Sequence, residues 1–305
     1  MHQRYIVSDR SAIADEDACL DFSVVIPAYN EEYGIAATLE QLQETLRFSQ
    51  HKYEIIVVND GSTDRTGEIL RSRTDVRVLE HQSNRGYGAA LKTGIRYAKY
   101  PLIVITDADG TYPNQRIPEL VSLAANADMV VGARIGSNVS YSPIRRIPKW
   151  FMVRFAQWVT KTPIPDLNSG LRVLRKSVAE RFLNILPNTF SFTTTITIAT
   201  LTSNYVVHYE PIDYYHRVGR SKIKPIRDTL RFIQLILRTG VYFAPMRVFF
   251  PVAVVFFVGF LITLFQDVFD RRDLTERTLI LFVAWTQLSM FALLADMIDK
   301  RSDRL

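Results

Sequence analysis

The sequence predicts an α/β fold, a mostly parallel sheet covered by helices on both faces, followed by a pair of membrane-spanning helices. Three observations carry that prediction. From residue 21 to about residue 131, short β-branched runs alternate with segments of helical periodicity. Polar stretches, three of them bearing glycine, follow four consecutive runs, and two long apolar stretches lie near the end of the chain. Continuous apolar strands joined by helical crossovers belong to parallel sheets buried on both faces.

Composition narrows the field first. Of the 305 residues, 48% are hydrophobic, which excludes disorder as the dominant state. The 37 Lys and Arg against 31 Asp and Glu give a net charge of +6, which favours anionic partners without choosing between nucleic acid, phosphorylated ligands and a lipid surface. A single cysteine, Cys19, excludes an intrachain disulfide. His2, His51, His81, His208 and His216 are scattered without the spacing of a zinc site. Residues 1–20 read as an N-terminal extension without the apolar core of a signal peptide, so the part that follows is expected in the cytosol.

The strands are expected at "FSVVI" (22–26), "YEIIVV" (53–58), "VRVL" (76–79), "LIVIT" (102–106) and "DMVVG" (128–132). Ile35, Leu39, Leu42 and Leu46 recur at spacings of four, three and four, one face of the first helix. "PAYNEE", "NDGSTD", "HQSNRGYG" and "DADGTYP" follow the first four strands in turn. Ligands in such sheets bind beyond the carboxyl ends of the strands, so one rim collects the chemistry.

Two of these loops have specific consequences. "GYGAAL" (86–91) imitates a dinucleotide fingerprint, but Leu91 stands where the third small residue belongs and the unit is the third βα rather than the first. The loop is expected instead to present backbone amides and Lys92 to a phosphate at a helix N-terminus. Asp107 and Asp109, one residue apart at the end of the fourth strand, suit a hard divalent cation. Mg²⁺ or Mn²⁺ takes one or two carboxylates and fills its shell with phosphate oxygens and water. Its double charge would stabilise a departing diphosphate.

The C-terminal third differs in kind. Val248–Phe265 has no charge, and Leu279–Ala295 has only Gln287 as a strongly polar interruption. The Val, Ile, Leu and Phe residues of the first run sum to roughly −4 to −8 kcal/mol on the insertion scale, enough to predict a transmembrane hairpin. Two stretches that mix basic residues with apolar or aromatic ones, 142–161 and 223–246, are expected to lie at the membrane interface. The domains are therefore placed at 21–222, with an interface helix at 223–246, the hairpin at 247–298 and a tail at 299–305. Arg271, Arg272 and Arg277 between the spans, against Arg238, Arg247, Lys300, Arg301 and Arg304 outside them, lean slightly toward both ends being cytosolic.

"VVIPAYNEE", "VVNDGSTDRTGEIL", "NRGYGAALKTGI", "ITDADGTYP" and "VVGAR" together resemble the family 2 glycosyltransferases of the GT-A type. Within them the chain is similar to the dolichol-phosphate mannose synthase and polyprenyl-phosphate glycosyltransferase branch, and the hairpin and "RVGRSKI" strengthen that likeness. The resemblance runs from about Phe22 to Arg238. It implies a membrane-bound, multi-pass, inverting enzyme with its catalytic domain on the cytosolic face. A hexose would move from a UDP- or GDP-sugar to polyprenyl or dolichyl phosphate with the help of Mg²⁺ or Mn²⁺. The implied partners are those two substrates and the lipid bilayer, and no nucleic acid, while two lone spans are expected to pack against further copies of the chain.

By the same resemblance Pro27, Tyr29, Glu31 and Asp60 would hold the nucleoside, with Asp60 reading the base. Asp109 would be the direct metal ligand and Asp107 would lie closer to the ribose or to metal-bound water. Arg134 and Arg145 or Arg146 would receive the lipid phosphate, while Arg217, Ser221 and Lys222 would close over the diphosphate. Two departures are expected to matter. The helix after the "SG" strand begins "FSFTTTITIAT", without the carboxylate base that relatives using a sugar hydroxyl carry. A hydroxyl nucleophile needs help losing its proton. A phosphate monoester, with a second pKa of about 6, is mostly dianionic already. Asp166 remains for orienting the acceptor or taking a residual proton, and Arg172 for binding its phosphate. Thr111 stands where some relatives place an amide near the metal. The alternatives are an enzyme that extends a polysaccharide and an inactive membrane scaffold that binds nucleotide sugars.

Overall fold

The structure is a computed structural model and describes residues 5–7, 20–135, 146–215, 237–238, 240–242, 244–271 and 273–302. It divides into two compact units, residues 1–229 and 230–305.

The first unit is built on one eight-stranded sheet. In chain order its elements are β1 (Tyr5–Val7), β2 (Phe22–Ala28), α1 (Ile35–Leu46), β3 (Tyr53–Asn59), α2 (Thr66–Arg71), β4 (Arg77–Glu80), α3 (Tyr87–Tyr97), β5 (Leu102–Ile105), α4 (Ile117–Leu123), β6 (Met129–Ala133), α5 (Arg146–Thr160), β7 (Arg172–Arg175), α6 (Lys176–Phe182), α7 (Phe192–Thr202) and β8 (Val207–Pro211). The strand order is β1-β8-β6-β7-β5-β2-β3-β4. Strands β2 to β6 are those the sequence predicts. The α1 face foreseen from its spacing is the buried one, since Ile35, Leu39, Leu42 and Leu46 are all fully covered against the sheet.

Strands β2, β3, β4, β5, β6 and β8 run one way, and β7 and β1 run against them. The reversed β7 lies between β5 and β6, with Arg172 opposite both Ile105 and Val131. This has a consequence for the rim. A parallel strand delivers the residues that follow it to the carboxyl edge, whereas β7 delivers those that precede it. The segment Asp166–Gly170 therefore arrives beside the residues that leave β5 and β6.

The second unit is a helical hairpin of α8 (Pro245–Gln266), a short π-helical turn (Asp267–Arg271) and α9 (Glu276–Ser302). At 1.5 Å per residue α8 is about 33 Å long, close to the thickness of a bilayer's hydrocarbon core. Phe257 packs at a tilt against Trp285 at 4.6 Å between ring centroids and Phe260 meets Phe282 at 5.3 Å, which fixes one helix against the other. At the turn, Asp267 Oδ2 accepts hydrogen bonds from Thr275 N (2.8 Å), Thr275 Oγ1 (2.7 Å) and Thr278 Oγ1 (2.6 Å), closing the start of α9.

Most of the hairpin's apolar surface is not covered by its own packing. Mean hydropathy reaches 2.7 and 1.9 in the two spans, yet only 11% of each apolar window is buried within the unit. Val255 is 70% exposed and Ile280 66%. In water such a surface would oppose folding at about 25 cal/mol per Å². In hydrocarbon it carries no such penalty, so the unit is a membrane-associated element. The interface segment expected at 223–246 falls mostly outside the described residues.

Candidate functional site

The first two strand-end loops are zipped together by their own polar side chains. Asn30 Nδ2 donates to Thr63 Oγ1 (3.2 Å), and Asn30 Oδ1 accepts from Thr63 N (2.8 Å). The Glu31 amide donates to Thr66 Oγ1 (2.9 Å), and Asp64 accepts from the amides of Glu32 and Thr66. Much of "PAYNEE" and "NDGSTD" is thus scaffold. The remainder, Pro27, Tyr29, Glu31 and Asp60, lines one cavity, together with Asp107 and Asp109 from the end of β5.

Both carboxylates of that pair are held. The Tyr87 hydroxyl donates to Asp107 Oδ1 at 3.0 Å. Burial and the neighbouring Asp107 charge push the Tyr87 phenol well above its ordinary pKa, so it stays a neutral donor. Asp109, buried at 6% exposure, accepts at Oδ1 from the Thr111 hydroxyl (2.6 Å) and amide (3.2 Å). Thr111, the residue that departs from the relatives' amide, therefore orients Asp109 rather than leaving it loose. Two carboxylates lining one cavity are compatible with a hard divalent cation that completes its shell with phosphate oxygens and water. Among the described residues no group of three or more His, Cys, Asp or Glu offers a larger ligand set.

Gly170 backs the pair from β7's side. Its amide donates to the Tyr112 hydroxyl at 2.6 Å, and a Cβ placed there would stand 2.9 Å from Asp107 Oδ2 and 3.0 Å from Tyr112 Cε2. A methyl group cannot enter without moving Asp107. Gly170→Ala is expected to lower kcat by at least about tenfold, or roughly 1.4 kcal/mol in barrier, and to raise the divalent cation concentration needed for half-maximal rate. Cation titrations of the variant with the wild type beside it check this; an unchanged cation requirement would show that Gly170 does not control Asp107.

The β4–α3 loop corrects an expectation. Four of its amides are engaged by the protein rather than offered to a phosphate. Gly88 N and Ala89 N donate to the carbonyl of Asn188 (3.0 and 3.3 Å), and Gly86 N and Arg85 N donate to Asp60 (2.8 and 2.9 Å). Lys92 reaches Asn188 Oδ1 at 2.9 Å instead of the cavity. The helix N-terminus is capped by the protein itself. Asp60, 2% exposed, also meets His81 Nδ1 at 2.6 Å, and His81 Nε2 meets Thr93 Oγ1 at 2.9 Å. The Asp60 carboxylate thus fixes the loop that walls the cavity, a structural duty the sequence reading did not foresee beside its expected one of reading the base.

On the other side of the rim, Arg134 and Asp166 meet each other. Arg134 Nε lies 2.7 Å from Asp166 Oδ2 and Nη2 lies 3.0 Å from Oδ1, a bidentate pair at side-chain exposures of 11% and 2%. Nη2 also donates to Asn168 Oδ1 (2.9 Å), the Arg134 amide donates to Asp166 Oδ2 (3.0 Å), and the guanidinium covers the Tyr214 ring at 5.2 Å. A second correction concerns Arg172. It is fully buried and donates to the carbonyls of Ser169 and Thr193 and to Thr197 Oγ1. Burial pushes its pKa down. Arg172 ties β7 to α7 in the core, where no acceptor phosphate reaches it. Arg145, Arg217, Ser221 and Lys222 lie outside the described residues. Arg146 opens α5, and nothing is described of its side chain.

Several contributors escaped the sequence reading. Asn84, Gly86, Tyr87 and Phe190 line the cavity, and Tyr112 and His81 stand behind its carboxylates. Tyr87 had a signal, since it opens the helix after the third strand end. Phe190 had none, because its loop reaches the rim only through pairing with α3.

Residues 23–183 match the Glycosyl transferase family 2 profile, and residues 244–300 match the GtrB C-terminal hairpin. A dolichyl-phosphate hexose transferase of Haloferax volcanii is 30% identical over 207 residues, 67% of this chain and 87% of that protein. An undecaprenyl-phosphate 4-deoxy-4-formamido-L-arabinose transferase of Pseudomonas paraeruginosa is 36% identical over 166 residues, 53% of this chain. The chain spans about half the length of that second relative, 49% of it. Among solved structures, the glucosyl-3-phosphoglycerate synthase of Mycobacterium tuberculosis with uridine diphosphate superposes at a TM-score of 0.55 and 19% identity, over 72% of this chain and 80% of that one, a likeness of fold. The same synthase has also been solved with Mn²⁺, UDP-glucose and glycerol 3-phosphate. The family match covers more than half of the chain and contains both rim carboxylates and the loops that hold them, and on these grounds the chain belongs to glycosyl transferase family 2.

Proposed function

We propose that this chain moves a hexose from a UDP- or GDP-sugar to the phosphate of a polyprenyl or dolichyl lipid, with inversion at C1. The observation that carries the reading is the pairing of a family 2 cavity with an apolar hairpin on one chain. The two relatives named above act, by their names, on dolichyl and undecaprenyl phosphates, which supports the lipid acceptor.

Asp107 and Asp109 would hold Mg²⁺ or Mn²⁺, whose charge stabilises the negative charge that builds on a departing diphosphate. The chain's own residues do the rest. Thr111 and Tyr87 keep the two carboxylates from turning into other rotamers. Pro27, Tyr29, Glu31 and Asp60 bound the part of the cavity that takes the nucleoside. Helix α7 offers no carboxylate at its start, only Phe192 and three threonines, which agrees with a nucleophile that arrives ionised. Arg134, held flat by Asp166, would position the acceptor phosphate, turning an encounter into an oriented reaction. Attachment of the hairpin with both ends in the cytosol would place this rim on the face where nucleotide sugars are made.

The test is an extraction assay. Membranes containing the protein are incubated with labelled UDP- and GDP-hexoses and polyprenyl phosphate. The expected product is a chloroform-soluble single sugar on a lipid monophosphate. A labelled polymer in the aqueous phase would identify a polysaccharide-extending enzyme instead, and no transfer from any donor would indicate a binding scaffold.

A further inference from the structure

Phe190 is an aromatic ring 62% exposed to solvent on the wall of the cavity that contains Asp107 and Asp109. Exposed aromatics on mobile loops are common and say little. Phe190 is different because its neighbours are tied down by specific contacts. Its ring lies against that of Tyr87, with centroids 5.1 Å apart and planes 22° apart, and Tyr87 is pinned through its hydroxyl to Asp107.

The loop beneath it is bolted to α3. The Asn188 carbonyl accepts from Gly88 N and Ala89 N, and Asn188 Oδ1 accepts from Lys92. Gly86 and Gly88 make this approach possible. A Cβ on Gly86 would lie 2.3 Å from the Asn188 oxygen and one on Gly88 would lie 2.2 Å from the Pro187 oxygen. The Phe190 carbonyl is held by Thr193 Oγ1 at 3.4 Å, and the Thr189 carbonyl caps Phe192 N at 3.1 Å. The fold therefore arranges two glycines, a carbonyl cap and a ring stack to hold one apolar face still beside two carboxylates. Ligand cavities combine aromatic walls with a few placed polar groups in this way, and a pre-ordered wall loses little entropy on binding.

We propose that Phe190, stacked on Tyr87, is a donor-positioning residue whose exposed face receives a flat ring face of the nucleotide sugar. The shared chemistry is a ring with a polarisable or C–H-lined face, supplied by either the base or the hexose. This rests on the glycosyl-transfer reading of the cavity. Stacking of a base on an aromatic side chain accounts for about 1–3 kcal/mol by alanine substitution, which converts to roughly 5- to 150-fold in Kd.

The experiment is calorimetric titration of the full-length protein in detergent with Mg²⁺, using UDP, UDP-glucose, GDP and GDP-mannose. Phe190→Ala is expected to weaken the preferred nucleotide sugar about 5- to 150-fold. Phe190→Trp should stay within about threefold of wild type. Phe190→Leu, with similar apolar bulk but no ring, should behave like alanine. A base contact will weaken the nucleoside diphosphate as much as the nucleotide sugar; a hexose contact will weaken the nucleotide sugar alone. Because the ring is mostly exposed, thermal unfolding should stay near wild type in all three variants. Unchanged Kd values in Phe190→Ala, or leucine restoring binding as well as tryptophan, overturn the proposal. So does an effect confined to the KM for polyprenyl phosphate. If the wild type itself binds no nucleotide sugar, the donor reading of the whole cavity fails and Phe190 falls with it.

Discussion

Asp109→Asn is expected to reduce kcat by about three to four orders of magnitude while the protein stays folded. The size follows from the step it supports. Charge builds on a diphosphate as the bond to the sugar breaks, and a divalent cation stabilises such charge by several kcal/mol; a loss of about 4–5.5 kcal/mol is a factor of 10³–10⁴. The fold should survive because asparagine keeps the carbonyl oxygen that the Thr111 hydroxyl and amide reach at 2.6 and 3.2 Å. Single-turnover transfer from labelled donor, with Mg²⁺ titrated far above the wild-type requirement, is the appropriate measurement. Excess chelator should bring the wild type to the same residual rate. A variant within threefold of wild type at saturating cation would remove Asp109 from the site.

How much of this was legible in the sequence depends on where the information lies. Strands β2 to β6 follow from local runs of β-branched residues, and α1 from a single apolar face, so the parallel half of the sheet could be read directly. Strand β7 could not. It has four residues, two of them arginines, and becomes a central strand only because Arg172 is satisfied by carbonyls from α7 and from the loop before it. That long-range compensation has no period. The same applies to "GYGAAL", whose glycines imply close backbone approach in any reading. The sequence cannot say whether a phosphate or the Asn188 carbonyl makes that approach, and the structure shows the carbonyl.

The cavity follows a similar division. Residues that precede or follow a strand within one motif, such as Tyr29, Asp60 and Asp109, are placed by the strand itself. Phe190 and Asp166 are placed by loops that cross the rim from elsewhere in the chain. The sequence places Asp166 near the acceptor, but its engagement with Arg134 depends on β7 running backward between β5 and β6. Two residues assigned separately to the acceptor thus form one bidentate unit.

That unit yields the second large expectation. Arg134→Met leaves the Asp166 carboxylate at 2% side-chain exposure without its guanidinium, and breaking a buried pair from one side costs about 3–5 kcal/mol. For a unit of this size, that is roughly 6–20 °C in unfolding temperature. The double variant Arg134→Met with Asp166→Asn should recover most of this loss, because no buried charge remains and the asparagine oxygen still accepts from the Arg134 or Asn168 position amides. Activity separates the two roles of the pair. If Arg134 positions the acceptor phosphate, the stable double variant will transfer sugar about 100-fold more slowly and with a raised KM for polyprenyl phosphate, since a charge-assisted contact gives way to a neutral surface. Arg134→Lys will recover only part of that rate, because an ammonium keeps the charge but loses the planar fork and its stack on Tyr214. Thermal unfolding and lipid-dependent kinetics on the same four proteins decide the matter: a double variant that regains wild-type turnover along with its stability would reduce the pair to a scaffold for the rim.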